Sequence, residues 1–180
     1  MNFLQQKKNQ LEKIDKSHEQ KWDDKIKGLC EKINKNPKYY TTSSCAGRVT
    51  ITKAEKNKSE DAFLFKSHKK INLKQIEKLN YKKLAYFKQE PCILHVACID
   101  LESARKILDL AQKTGWKRSG ITSSGERIVL ELISTEKLEL PIANHGKILV
   151  SKDYLKLLVK ESNIKLEKTW QKIKNLEKLI

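Results

Sequence analysis

The sequence lacks the signatures of the common nucleotide and hydrolase sites. Its six glycines form no G-x-G-x-x-G motif after a strand and no Walker A motif, which excludes the two standard glycine-rich phosphate loops. The pattern G-x-S-x-G is also missing, so the nucleophile elbow of the α/β-hydrolases is excluded. A cofactor or substrate site in this chain must therefore be built in another way.

The sequence also has no long apolar run and few cysteines. No stretch approaches the ~20 apolar residues that cross a bilayer, so we expect no membrane partner. The stretch MNFLQQKKNQLEKID has no apolar core and no cleavage site, which predicts that a secretory signal is absent. Four cysteines in 180 residues do not make a disulfide framework. The expected location is the cytoplasm.

One cysteine pair lies close to a histidine, in the segment CILHVAC. Residues 92–99 are interpreted as a buried strand, in which side chains alternate between the two faces. Cys92 and Cys98 then share one face while His95 points to the other. No C-x-x-C is present either, so we predict no metal site.

Positive charge dominates the composition, with 38 Lys and Arg against 22 Asp and Glu and a formal net charge of +16. Such a surplus favours an anionic partner, of which nucleic acid is the commonest. The alternative is a general lysine bias without a local role, and only four of the basic residues are arginines. Charge alone therefore leaves both interpretations open.

The apolar periodicity predicts an α+β fold, one compact domain over residues 1–180 with a largely antiparallel or mixed sheet. Helical spacing covers residues 1–36, as one or two helices, and residues 151–180 form a long helix that Ser151 caps. A third helix is predicted from Leu101 to Thr114, between an Asp100 cap and Gly115, and a short one follows Asn72. Predicted strands are RVTITK and DAFLFKSH around the loop EKNKSE, LAYFKQ, CILHVACI, Lys117–Ile121, Arg127–Ile133, Lys137–Pro141 and GKILV.

Three polar segments that contain glycine are interpreted as turns: SSCAGR, RSGITSSG and NHGK. Glycine lets a backbone approach a ligand closely, and hydroxyl groups with exposed N–H groups suit a carboxylate or phosphate. Each segment by itself is equally consistent with an ordinary turn. SSCAGRVTI and SSGERIVLE also resemble each other, which makes an internal duplication one interpretation of the fold.

Taken in order, TTSSCAGR, EPCILHVAC, ESARKILDLAQKTGWKRSGIT, LELP and GKILVSKDYLKLLV resemble the family of tRNA wybutosine-synthesising protein 3, from about Tyr39 to Val159. The resemblance implies a fold other than the Rossmann type and an S-adenosylmethionine-dependent tRNA methyltransferase. The implied reaction methylates N4 of 7-(3-amino-3-carboxypropyl)-4-demethylwyosine, beside the anticodon of phenylalanine tRNA. The implied partners are this anticodon arm and the cofactor.

The same resemblance implies the site. Six residues in matching motifs are expected to bind the cofactor: Ser43, Ser44, Gly47, Arg48, Ser119 and Gly120. His95 is the first choice for the general base and Glu139 the second, because the ring nitrogen must lose a proton. His68 also has a counterpart, whereas the family's last histidine stands where this chain has Asn144, which puts a role for His145 in doubt. Cys45 is expected to be a small buried thiol and not a nucleophile.

Alternatives remain at each of these points. His95 is also consistent with a core histidine held by backbone hydrogen bonds, and Arg48 with a structural salt bridge at a strand start. Arg48 otherwise suits the carboxylate of the cofactor or a tRNA phosphate. The competing functions are a non-catalytic RNA- or DNA-binding domain and a small-molecule-binding protein.

Overall fold

The computed structural model describes residues 2–12, 22–54, 62–125 and 127–180. The helices of these residues are α1 Phe3–Leu11, α2 Asp24–Lys35, α3 Leu73–Glu77, α4 Leu101–Lys113 and α5 Lys152–Leu179. The strands are β1 Tyr39–Cys45, β2 Arg48–Lys53, β3 Phe63–Ser67, β4 Ala85–Glu90, β5 Ile93–Cys98, β6 Gly120–Ser124, β7 Ile128–Ile133, β8 Leu138–Asn144 and β9 Lys147–Ile148. None of the helices in this described part of the chain has the length and apolarity needed to cross a membrane.

The chain divides into two compact units, each with its own sheet. The first unit comprises Met1–Ala46, Cys92–Thr135 and Thr169–Ile180, and the second comprises Gly47–Pro91 and Glu136–Lys168. The sheet of the first unit has the order β1-β5-β7-β6, and that of the second has the order β3-β2-β4-β8-β9. All paired strands are antiparallel. The α+β prediction is confirmed, whereas a single domain over residues 1–180 stays a prediction.

The core of the first unit lies on one face of its sheet. Alternate residues of β5 and β7, including Leu94, Val96 and Leu130, pack there against the apolar stripes of α2 and α4. Trp116 is fully buried in this cluster, and its indole N–H donates a hydrogen bond to the carbonyl of Lys172, at 3.3 Å. The β5 and β7 side chains between the core-facing ones stand on the opposite face of the sheet, where Ala97 of β5 is buried as well.

In the second unit β4 buries alternate residues, including Phe87, whereas β2 buries the three consecutive residues Val49, Thr50 and Ile51. Leu155 and Leu158 of α5 are also buried there. Asn163 ties this helix to the segment before α3, since its side chain accepts from the N–H of Ile71 and donates to the carbonyl of the same residue, both at 2.9 Å.

The local signals for helix ends are confirmed. The Asp100 carboxylate accepts from the N–H of Ser103 at 2.7 Å, and this hydrogen bond lowers the pKa of Asp100. Gly115 ends α4 with φ +95°, a conformation that favours glycine. Asn72 forms a capping box on α3, and the Ser151 hydroxyl accepts from the N–H of Tyr154 at the start of α5.

Two predictions need correction, and two others fall in part or wholly outside the described residues. SSC in SSCAGR is not a turn, because Tyr39–Cys45 is a strand that pairs with β5. The strand predicted from Lys117 begins at Gly120, because the Ser119 hydroxyl holds a turn by donating to the carbonyl of Trp116. The predicted loop at residues 55–60, and the part of the N-terminal periodicity at residues 13–21, lie outside the described residues.

The resemblance between SSCAGRVTI and SSGERIVLE does not reflect equivalent positions. The strand after the first segment, β2, belongs to the second sheet, whereas β6 and β7 form a hairpin within the first sheet. This pair of segments therefore gives no support to an internal duplication.

Candidate active site

A row of polar side chains crosses three neighbouring strands of the first sheet. Ser43 on β1 lies opposite His95 on β5, and His95 lies opposite Glu131 on β7. The Ser43 hydroxyl oxygen is 2.7 Å from Nδ1 of His95. The other ring nitrogen, Nε2, is 2.8 Å from Oε1 of Glu131. We call these three residues the polar row.

The polar row stands on the face of the sheet opposite to the core. Leu94 and Val96 of β5 are buried in the core cluster, so the side chain of His95 between them points the other way. Its side chain is 33% exposed and that of Glu131 is 35% exposed. The partners of His95 are side chains, which differs from the alternative of a core histidine held by backbone hydrogen bonds. A half-exposed imidazole with a carboxylate partner suits proton transfer.

Gly120 extends the polar row to a fourth strand. It lies opposite Glu131 on β6, and a β-carbon added at Gly120 would meet no atom within 4 Å. The sheet beside the Glu131 carboxylate is therefore open on this side. The prediction that Gly120 belongs to the site agrees with this position.

Ser119, in contrast, already forms hydrogen bonds with the backbone. Its hydroxyl donates to the carbonyl of Trp116 at 2.6 Å and accepts from the N–H of Ile133 at 3.0 Å. Both hydrogen bonds fix the turn that enters β6. The cofactor-binding role of Ser119 stays a prediction that these contacts do not favour.

Ser44 lies on the core side of β1, opposite Leu94. Its side chain forms a hydrogen bond with Cys30 on α2, a thiol whose pKa burial raises to about 12. Adjacent residues of a strand point to opposite faces, so Ser43 and Ser44 cannot both line one pocket. The structure thus separates two residues that were predicted to act together. Ser44 is better explained as a packing residue.

Gly47 and Arg48 belong to the second unit. Gly47 is buried with φ +86°, a conformation that allows the chain to turn into β2. Nε of Arg48 forms an ion pair with the Glu90 carboxylate on β4, and its guanidinium lies 5.4 Å from the ring centre of Phe63. Since Glu90 is its cross-strand neighbour, the structural salt bridge is a sufficient explanation of Arg48.

Glu139, the second choice for the base, sits in a lysine cluster of the second sheet. Its two carboxylate oxygens lie 2.8 Å from Nζ of Lys88 and 2.9 Å from Nζ of Lys137. Hydrogen bonds from these ammonium groups lower the pKa of Glu139. A lowered pKa makes a weaker base, so the surroundings of Glu139 favour an ion-pair role.

The remaining predicted residues lie outside the polar row. His145 and Gly146 connect β8 to β9 with φ +45° and +79°, the backbone of a two-residue type I′ hairpin, and His145 is exposed there. Cys45 and His68 are half-buried. Cys92 and Cys98 lie on the core side of β5, as the alternation predicted.

Two functional candidates were missed by sequence reasoning, Glu131 and Arg127. A charged residue such as Glu131 within the apolar run RIVLELI is a sequence signal of a functional role. Only the strand register shows that it lies beside His95. Arg127 donates from Nη1 to the Tyr40 hydroxyl at 3.1 Å. Tyr40 lies opposite Ala97, two residues from His95 and on the same face, so an arginine fork stands at one end of that face.

The described chain is thus an α+β protein with two antiparallel sheets and a histidine-centred polar row, an architecture apart from the doubly wound parallel sheet. The Methyltransferase TYW3 family matches residues 5–180, and the chain belongs to this family. Its resemblance to the wybutosine-synthesising proteins is confirmed.

Named relatives agree with this assignment. The tRNA(Phe) 7-((3-amino-3-carboxypropyl)-4-demethylwyosine(37)-N(4))-methyltransferase of Methanocaldococcus jannaschii is 39% identical over 176 residues, which are 93% of this chain and 91% of the relative. A tRNA wybutosine-synthesizing protein 3 homolog of Danio rerio is 34% identical over 186 residues, which are 98% of this chain and 74% of the relative. The solved structure of the PH1069 protein from Pyrococcus horikoshii matches with a TM-score of 0.89 at 31% identity, over 99% of this chain and 95% of that one.

Proposed function

We propose that this protein is an S-adenosylmethionine-dependent tRNA methyltransferase. It methylates N4 of 7-(3-amino-3-carboxypropyl)-4-demethylwyosine beside the anticodon of phenylalanine tRNA, in the cytoplasm. The family is a methyltransferase family, and relatives 33–39% identical over 93% or more of the chain carry the name of this reaction. The observation that carries the proposal in the structure is the polar row, with a partly exposed histidine beside open space over Gly120.

The space beside Gly120, on the face of the first sheet that carries the polar row, suits the cofactor. When bound, S-adenosylmethionine supplies a methyl group whose bond to sulfur breaks with the electron pair left on sulfur, so the ring nitrogen gains a carbon and must lose its proton. The Glu131 carboxylate provides negative charge for a cationic sulfonium, and Gly120 leaves room beside it. The guanidinium group of Arg127 suits the carboxylate in the methionine part of the cofactor, which it can bind through two parallel hydrogen bonds.

Within this site His95 is the proton acceptor. Neutral imidazole is a suitable base near neutral pH, and the Glu131 carboxylate at 2.8 Å stabilises the imidazolium that results. Glu139 is a poorer candidate, because two ammonium groups already bind its carboxylate. No covalent bond to the enzyme is needed, and Cys45 has no nucleophilic role. Holding the reactants in line supplies much of the remaining rate.

The proposal is tested by methyl transfer from radiolabelled S-adenosylmethionine to tRNA from a strain that lacks this protein. We expect label in phenylalanine tRNA, and none when the same tRNA comes from a strain that has the protein and is already methylated. Tight tRNA binding with no transfer of label would favour the non-catalytic binding domain. Cofactor binding with no tRNA binding would favour the small-molecule binder.

A matched pair of variants separates the two roles of Arg48. If the ion pair with Glu90 is its main role, Arg48→Lys and Glu90→Gln should both keep methyl transfer near the wild-type rate. Each should lower the free energy of unfolding by less than about 1 kcal/mol, since the pair is partly exposed. Methyl-transfer kinetics and chemical unfolding check this. A severe loss of activity in Arg48→Lys alone would restore the cofactor-binding role, because lysine cannot reproduce the bidentate fork.

A further inference from the structure

We infer that Ser43 is the group that takes the proton from the substrate nitrogen and passes it to His95, and that Glu131 is the positioning residue that fixes the tautomer of His95. The inference rests on the proposed function and assigns to Ser43 a role beyond cofactor binding. It starts from the fact that both ring nitrogens of His95 have protein partners, Ser43 at Nδ1 and Glu131 at Nε2.

The chemistry of the two partners decides which nitrogen carries the hydrogen. An ionised carboxylate can only accept hydrogen bonds, whereas a hydroxyl can donate or accept. Nε2 of a neutral His95 therefore carries the hydrogen and donates it to Glu131. Nδ1 then has a lone pair and accepts from the Ser43 hydroxyl. The basic nitrogen of His95 is thus covered by Ser43.

The fold places Ser43 at this position through a β-bulge. Thr41 lies opposite Val96 and Ser43 lies opposite His95, with a register shift between them. If Thr42 paired regularly it would lie opposite His95 itself, and Ser43 would lie opposite Leu94 and point into the core, because a one-residue slip moves a side chain to the other face. Bulges re-aim side chains in this way beside active sites.

We place Ser43 as the member of the polar row that meets the substrate, because it covers the basic nitrogen of His95. Ser43 is exposed, whereas His95 and Glu131 are each about one-third exposed. A substrate nitrogen that approaches this face meets the Ser43 oxygen, whose lone pairs are free of the His95 hydrogen bond. As the nitrogen is methylated, its proton moves to the Ser43 oxygen while the original Ser43 proton moves to Nδ1. The proton count balances, and the resulting imidazolium is held against the Glu131 carboxylate.

The first test compares two neighbouring serines of β1. Ser43→Ala should lower the turnover number about 10²-fold, with KM for tRNA little changed, while Ser43→Thr keeps a hydroxyl on a residue that suits strands and should recover most of the rate. Ser44→Ala is the matched control, because Ser44 faces the core and Cys30. Its turnover number should stay near wild type. Equal turnover in Ser43→Ala and Ser44→Ala would overturn the inference.

The second test reads the tautomer without any reaction. Nitrogen NMR of the imidazole in the wild-type protein, at a pH where His95 is neutral, should show hydrogen on Nε2. Glu131→Ala should give a mixture of both tautomers, and Glu139→Gln should leave the spectrum unchanged. Hydrogen on Nδ1 in the wild type would contradict the assignment. If the wild type transfers no methyl group, the proposed function fails whatever the tautomer; if it does and Ser43→Ala is unaffected, only the relay fails.

Discussion

Replacing His95 with alanine should lower the turnover number by about 10²- to 10⁴-fold, the usual contribution of a general base. The change removes the proton acceptor itself. It also leaves Ser43 and Glu131 without the imidazole that both contact, so neither can contribute to proton transfer. Because His95 is one-third exposed and lies opposite the core, the fold should survive the change. Methyl-transfer kinetics together with circular dichroism and thermal unfolding measure both effects.

The control for this prediction is Glu139→Gln, which removes the other residue proposed as the base. Its turnover number should stay near wild type, because the lysine cluster around Glu139 already occupies the carboxylate. A large loss of activity in Glu139→Gln with normal activity in His95→Ala would reverse the assignment. If His95→Ala instead lowers the free energy of unfolding so far that unfolding alone accounts for the lost activity, His95 is a structural residue.

Raising the salt concentration should weaken tRNA binding by orders of magnitude. Release of counterions from about six contacted phosphates lowers affinity about 10³-fold between ~50 and ~200 mM salt. The net charge of +16 supplies the cations for such contacts. Affinity for S-adenosylmethionine should change little over the same range. If tRNA affinity, measured by fluorescence anisotropy, did not change with salt, contacts between lysines and phosphates would not be the source of tRNA binding.

One lysine-lined cavity offers a local version of this test. In the second unit a cavity of about 300 Å³ is lined by Lys53, Leu64, Asn80, Lys82 and Lys83. The logarithm of tRNA affinity falls linearly with the logarithm of salt concentration. The double variant Lys82→Gln with Lys83→Gln should reduce this slope by about one for each phosphate that it no longer binds. Lys106→Gln with Lys156→Gln removes the same charge from two lysines that do not line this cavity. Equal slopes for the two double variants would show that no local phosphate site exists in this cavity.

Local signals predicted much of the fold. The helix that starts at Asp100 and ends at Gly115 depends on side chain-to-backbone contacts within a few residues, and those are visible in sequence. Alternation on β5 likewise put His95 on the face opposite Cys92 and Cys98. Such features need no knowledge of distant segments.

The candidate site was only partly predictable, because it depends on pairing between distant strands. The Ser/Thr-rich stretch at Tyr39–Cys45 has the composition of a turn, yet pairing with β5 makes it a strand. Glu131 is 36 residues from His95 in sequence, and only the β5–β7 register makes them neighbours. The bulge at Thr42 decides that Ser43, and not Thr42, lies opposite His95. No local pattern carries that information.

The central claim is that the cofactor binds, and the substrate proton is removed, at the polar row on the first sheet. It is tested most directly by titrating isotope-labelled protein with S-adenosylmethionine and following the backbone amide signals by NMR. The account predicts the largest shifts at Ser43, His95, Gly120 and Glu131, with little change in the second sheet around Arg48 and Glu139. Shifts confined to Gly47, Arg48 and Glu139, with the signals of the polar row unchanged, would contradict it.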